Sequence, residues 1–268
     1  MNMIIGLIII YLVFVVLNKY FNCGSDNFEE ISNFEKITNK INKIYYINLD
    51  RRPDRNHHFL DQCSKFKFDM NNVTRFKGID GLTYKFSDDE EDMFKNADFI
   101  MSESKPKIMG NQLSHYYILK DMIKNNYDYI IIFQDDVVLR DDFNHQINKL
   151  IKNIPDNAEI INFGFHKTAH LKDFEALDIN DPIESQVQSK ENINEAVCVL
   201  ADNVNPCSLA YLVTLKGAKN LVNYFNQVGF LRATDWNYTD YMVSKNINYA
   251  TRTVLCTGNP KFGSDIFK

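Results

Sequence analysis

The sequence predicts an α/β domain with ligand-binding residues at the ends of its strands. Short apolar runs of strand length alternate along the chain with segments whose apolar residues recur at helical spacing. The clearest run, Tyr129-Ile130-Ile131-Ile132-Phe133, stops abruptly at Gln134-Asp135-Asp136. A strand buried on both faces reads as such a continuous run. Polar residues at its carboxyl end stand where α/β sheets bind ligands. The composition suits a packed domain: of 268 residues, 45% are hydrophobic and 13% aromatic, enough for one large domain or two small ones.

The N-terminus stands apart. Residues 3–17 are apolar apart from Tyr11 and carry no charge, and Asn18 and Lys19 beyond them can snorkel. Residues 1–21 are therefore expected to form a single-pass membrane anchor. A signal peptide is the competing reading, but no basic segment precedes the run and no small-x-small pattern follows it. Lys19, Lys36, Lys40 and Lys43 favour a cytosolic body. The sequons Asn72-Val73-Thr74 and Asn237-Tyr238-Thr239 permit a luminal one, so the side stays open. Residues 22–42 are polar and mixed and read as a stalk, leaving residues 43–268 for the domain.

Within that domain, residues 44–49 predict the first strand, and Asp50 opens a helix with Pro53 in its first turn. A second strand is expected over 73–77, and an acidic, solvated helix start over 87–92. Residues 113–123 have helical spacing, and the central strand covers 129–133. A helix over 143–154 ends before Pro155, and a strand follows over 159–163. Residues 167–195 have no firm pattern and form either an excursion over a site or a small subdomain. A strand at 209–214 leads into a helix at 215–226. The tail after Cys256, with Gly258, Pro260 and Gly263, reads as a loop.

The net charge of -5 argues against nucleic acid as the main partner. The five cysteines form no Cys-x-x-Cys pair, which argues against zinc, and their odd number does not suggest a disulfide framework. Adjacent Asp135 and Asp136 repel each other; a divalent ion with oxygen ligands is the usual relief, and a polar exit from a strand is the plain alternative. Alternate residues of an extended segment share a face. Gln134 and Asp136 are thus expected to face a ligand together, with Asp135 pointing elsewhere or reaching in after a turn.

Several blocks together resemble glycosyltransferase family 25, which includes lipooligosaccharide and procollagen galactosyltransferases. Ile44-Tyr45-Tyr46-Ile47-Asn48-Leu49-Asp50-Arg51-Arg52, followed by Arg55, resembles its opening strand, and Ile79-Asp80-Gly81 its next block. Gly110-Asn111-Gln112-Leu113-Ser114-His115 is similar to its Gly-Cys-x-x-Ser-His block. Phe133-Gln134-Asp135-Asp136 falls at its Glu-Asp-Asp block. Ala210-Tyr211 with Gly217-Ala218, then Ala233-Thr234-Asp235-Trp236 and Ser264-Asp265-Ile266, complete the series in order.

The resemblance implies a GT-A-like, Rossmann-type nucleotide-sugar-binding domain. It also implies inverting transfer of a hexose, galactose before glucose, from a UDP-sugar to a hydroxyl of a glycan or glycoprotein. A divalent cation, manganese before magnesium, would stabilise the departing diphosphate as a Lewis acid. By the same resemblance Asn48, Asp50 and Arg51 meet uracil and ribose, although Asp50 also suits a helix N-terminus. Asp80 contacts the donor or merely marks a turn, and His115 is a ligand or a core histidine. Asp135, Asp136 and Asp265 supply the metal shell, with a solvated tail position as the alternative for Asp265. Asp235 is the general base or the cap of the helix that starts near Trp236. Gln134 departs from the family's Glu, removing one negative charge, so Gln134→Glu is expected to tighten the cation. A degenerate member that binds without transfer is the alternative function.

Overall fold

Strand β1 (Lys43–Asn48) buries five of its six side chains and lies between two parallel neighbours, β2 (Val73–Lys77) and β3 (Tyr129–Gln134). This is the computed structural model of the chain, which describes residues 40–99, 101–165 and 189–266. The expected anchor over residues 1–21, the expected stalk apart from residues 40–42, and residues 167–188 of the unpatterned segment 167–195 lie outside those residues. Among the described residues no helix is long and apolar enough to cross a membrane.

Helix α1 (Pro53–Lys65) links β1 to β2, with Pro53 in the first turn, where a missing N–H costs nothing. The short α2 (Asp88–Asp92) starts with a capping box between Ser87 and Glu90. Glu90 is buried there and accepts hydrogen bonds from Tyr84 and Tyr117, so this acidic turn is only partly solvated. Helix α3 (Lys105–Asn125) starts eight residues before the periodic stretch. Pro106 sits in its first turn, and Gly110 is accommodated by close packing rather than ending the helix.

Beyond β3 come β4 (Val137–Leu139), α4 (Phe143–Lys152), β5 (Ile160–Asn162) and β6 (Gly164–Phe165). Then follow β7 (Ser189–Asn192), β8 (Val197–Leu200), β9 (Ala210–Thr214), α5 (Leu215–Val228) and α6 (Thr234–Ser244). Strands β10 (Tyr249–Thr251) and β11 (Cys256–Gly258) complete the described elements. The tail after Cys256 is therefore not all loop: β11 pairs antiparallel with β4 and parallel with β6 in a small second sheet.

The main sheet runs β2-β1-β3-β9-β5-β10-β8-β7. It is mixed, because β9 enters antiparallel between β3 and β5. This large mixed sheet with helices fits the Rossmann-like fold class expected from the sequence. The reversal at β9 matters for function: it brings residues 208–210, just before and at the start of β9, to the edge where β1, β2 and β3 end. The core beneath that edge is aromatic. Phe133 contacts Phe59, Phe143 and Phe163 at ring-centroid distances of 5.6, 6.1 and 5.9 Å. Cys63 and Cys256 are buried free thiols. The sequon residue Asn237 is buried, and its amide bonds Gln112 and the carbonyl of Arg232, so the folded chain does not present it for glycosylation.

Candidate functional site

The carboxyl ends of β1, β2 and β3 open into a pocket. Arg51, Asp80, Lys107, Gln134, Asp135, Asp136 and Asp265 are among its lining residues. Strand β3 ends at Gln134 and the chain turns at Asp135-Asp136, so all three residues reach the same pocket. The turn overrides the strict alternation expected of an extended segment.

Two glycines shape the wall opposite. A Cβ on Gly81 would lie 1.7 Å from the Pro106 carbonyl oxygen, and one on Gly110 would lie 2.3 Å from that of Ile79. Without side chains at these positions the loop after β2 packs directly on the start of α3. Ser114 fastens the contact: its Oγ accepts from the Ile79 N–H at 2.9 Å and donates to the Gly110 carbonyl at 2.7 Å. The Ile79-Asp80-Gly81 and Gly110-to-His115 blocks thus form one structural unit that presents Asp80.

Arg55, one turn into α1, lies at the centre of the acids. Its Nη1 is 3.2 Å from Asp135 and 3.2 Å from Asp136, and its Nη2 is 3.4 Å from Asp265. Its Nη2 also donates to the Gly263 carbonyl. Asp265 accepts from Arg51 at 2.8 Å and pairs with Arg52 as well, while Arg51 Nε donates to Asp80 at 2.6 Å. Burial raises the Asp135 carboxyl to about 6, against the downward pull of the Asn48 hydrogen bond and the Arg55 charge. Burial also pushes Asp265 upward, but the Arg51 hydrogen bond and the charges of Arg55 and Arg52 outweigh it and hold this carboxyl below its ordinary value.

The other expected site residues divide. Asn48 is buried beneath the pocket; its amide donates to Asp135 at 2.6 Å and its oxygen accepts from Arg75 at 2.8 Å, so it orients an acid. Asp50 lines neither pocket and is paired with Lys77 and Arg75, whose hydrogen bonds lower its carboxyl. His115 is fully buried on α3, with Nδ1 2.6 Å from the Tyr211 hydroxyl, and lines neither pocket. Burial pushes its imidazole down to about 3, so it is neutral. Its geometry matches the core-histidine alternative.

A second pocket adjoins the first, sharing Asn111, Gln134 and Ile266, and adds Cys207, Ser208, Thr234 and Asp235. Burial raises the Asp235 carboxyl above its ordinary value, opposed by backbone N–H groups at the start of α6. Asp235 stands in the first turn of α6, whose cap is Ala233 rather than Asp235, and on a pocket wall. Gln134 stands between the pockets. Its Nε2 donates to the carbonyl and the hydroxyl of Ser208, at 3.3 and 3.2 Å.

Arg55, Lys107, Asn111 and Ser208 had no assigned role from sequence. Arg55 and Asn111 lie inside recognisable blocks; Lys107 and Ser208 carry no local signal. The donor set of Asp135, Asp136 and Asp265 suits a hard cation, because carboxylate oxygens surround one positively charged point. That point is held by a guanidinium. As they stand, the described residues contain no group of three or more His, Cys, Asp or Glu side chains arranged to hold a metal.

A family profile described as "Glycosyltransferase family 25 (LPS biosynthesis protein)" matches residues 41–253. A curated relative from Aedes aegypti, "Glycosyltransferase 25 family member", is 24% identical over 198 residues. The match covers 68% of this chain and 28% of that relative, so this chain corresponds to less than a third of the relative's length.

Proposed function

The chain belongs to glycosyltransferase family 25, and we propose that it transfers a hexose, galactose before glucose, from a UDP-sugar to a hydroxyl of a glycan or glycoprotein. One observation carries this reading: two pockets meet at Gln134, one lined by clustered acids and arginines and the other by Asp235. A GT-A-like domain over residues 43–268 would hold the diphosphate in the first pocket, near Arg51 and Lys107, and the acceptor in the second. The acceptor hydroxyl gives its proton to Asp235 as its oxygen attacks the anomeric carbon from the face opposite the diphosphate. The bond to the diphosphate breaks, UDP leaves, and the configuration inverts. A carboxyl raised by burial is a stronger base than an exposed aspartate, which suits this role.

Asp135, Asp136 and Asp265 would hold a manganese or magnesium ion, which supplies Lewis-acid stabilisation of the leaving diphosphate. Asn48 orients Asp135, and Arg51 orients Asp80 and Asp265. The apolar residues 3–17 support attachment to a membrane, with residues 22–42 as the stalk; resistance of the full chain to carbonate extraction tests this.

The deciding experiment incubates the protein with a panel of UDP-sugars and follows UDP release with manganese, with magnesium and with chelator. Metal-dependent release that Asp136→Ala abolishes supports the transferase. UDP binding without turnover for any sugar favours a binding or scaffold role. The observations favouring that second reading are the amide at position 134 and the guanidinium already paired with the acids.

A further inference from the structure

Arg55 lies where the proposed cation would have to lie, and this placement has consequences that rest on the transferase reading. Its side chain is 7% exposed, and those of Asp135, Asp136 and Asp265 are 7, 9 and 11% exposed. Three carboxylates around one point, those of Asp135 and Asp136 buried and that of Asp265 partly so, repel one another strongly unless a positive charge stands among them. The guanidinium provides that charge, but its fit is incomplete: Nε is buried and finds no hydrogen-bond partner among the described residues. A buried donor left in this state carries a free-energy cost, so the arrangement is not optimised around Arg55 alone.

The pocket is also close to electrical balance without any ligand. Its four lining carboxylates are matched by Arg51, Arg55 and Lys107 on the wall and in part by Arg52, which is shared between Asp265 and Asp54. A divalent ion entering alone adds uncompensated positive charge beside Arg55. A nucleoside diphosphate entering alone adds uncompensated negative charge beside the acids. Arriving together, they nearly cancel.

We propose that Arg55 is an internal counter-cation of the donor pocket. It holds Asp135, Asp136 and Asp265 together before the donor binds, and a divalent ion takes those carboxylates only by displacing it, in company with the diphosphate. Once displaced, the guanidinium is free to meet the phosphate oxygens, for which its planar fork is suited. Arg55 is thus a positioning residue in the resting protein and a phosphate contact in the loaded one.

The test is manganese binding to the full chain, followed by electron paramagnetic resonance, with and without UDP. The wild type should take up manganese weakly alone and much more tightly with UDP. Arg55→Met should bind manganese without UDP about ten- to a thousand-fold more tightly than wild type, the range over which one charge at such distance shifts a carboxylate's proton affinity. Arg55→Lys keeps the charge and should stay near wild type. If Arg55→Met unfolds in chelator but folds when manganese is added, the proposal is supported. If it folds in neither, Arg55→Gln, which keeps hydrogen-bond donors without the charge, takes its place in the same titration with the same expected tightening. Wild-type protein that binds manganese equally well with and without UDP overturns the role of Arg55 and leaves the transferase reading standing, as does an Arg55→Met variant that binds no more tightly. UDP binding with no manganese uptake overturns the role of Arg55 and removes the metal from the proposed function. Absence of both UDP and manganese binding overturns both readings.

Discussion

Gln134→Glu is the most informative single change, because charge and hydrogen bonding oppose each other at this position. From charge alone, restoring the family's carboxylate should tighten a cation. The structure adds a cost. The Gln134 amide donates to the Ser208 carbonyl at 3.3 Å and to its hydroxyl at 3.2 Å. The hydroxyl can rotate and donate to a carboxylate, but the carbonyl can only accept. A glutamate would therefore set two acceptors against each other, at about 1–3 kcal/mol for the lost and unsatisfied partners. For a domain of this size that is a melting temperature lower by on the order of 2–10 °C.

The introduced carboxyl stands next to Asp135 and Asp136, so its folded-state pKa should lie above its unfolded value. The folded state then binds more protons over that interval, and stability falls as pH rises through it. The penalty should be absent well below pH 4 and complete above the raised pKa. The assay is thermal melting of wild type and variant in chelator across pH 4 to 8, repeated with manganese. Manganese should recover the loss in the variant by offsetting the added charge. A variant that melts with the wild type at pH 8 in chelator would refute the reasoning, because the Ser208 tie would then contribute nothing.

Three further outcomes are expected. Asp235→Asn should abolish sugar transfer while leaving UDP affinity within about twofold, and it should raise the melting temperature at pH values above the raised Asp235 pKa, because burial disfavours the charged carboxyl that it removes; unchanged transfer would exclude Asp235 as the base. Wild-type transfer should correspondingly fall as pH drops through the raised Asp235 pKa, measured as kcat with saturating donor. Gly110→Ala should weaken UDP binding, measured by titration calorimetry, because its Cβ would stand 2.3 Å from the Ile79 carbonyl and displace the loop that carries Asp80; overpacking of this kind costs about 1–3 kcal/mol. Asn48→Ala should destabilise the chain by about 1.5–3 kcal/mol in urea unfolding, since it removes a buried hydrogen bond to the Asp135 carboxylate.

By itself the sequence determined the features written in local patterns. The apolar run before Gln134, Pro53 in the first turn of α1, and the strand-to-helix passage at Thr214-Leu215 each depend on neighbours within a few residues, and the structure places them within a residue or two of expectation. The ordered blocks from Ile44 to Ile266 also sufficed to identify the family. What only the tertiary structure decided involves partners far apart in the chain. Strand β7 escaped because its pairing with β8, not its polar composition, makes it a strand, and β11 escaped because Gly258 and Pro260 read as loop residues while β4 supplies its ladder. His115 carried a family pattern, but its full burial against Tyr211 is set by a strand almost a hundred residues later. The role of Arg55 was illegible for the same reason: its three acids come from the turn after β3 and from the C-terminal tail. Propensity and periodicity act between near neighbours, whereas an ion-pair cluster and an antiparallel insertion exist only once the chain has closed on itself.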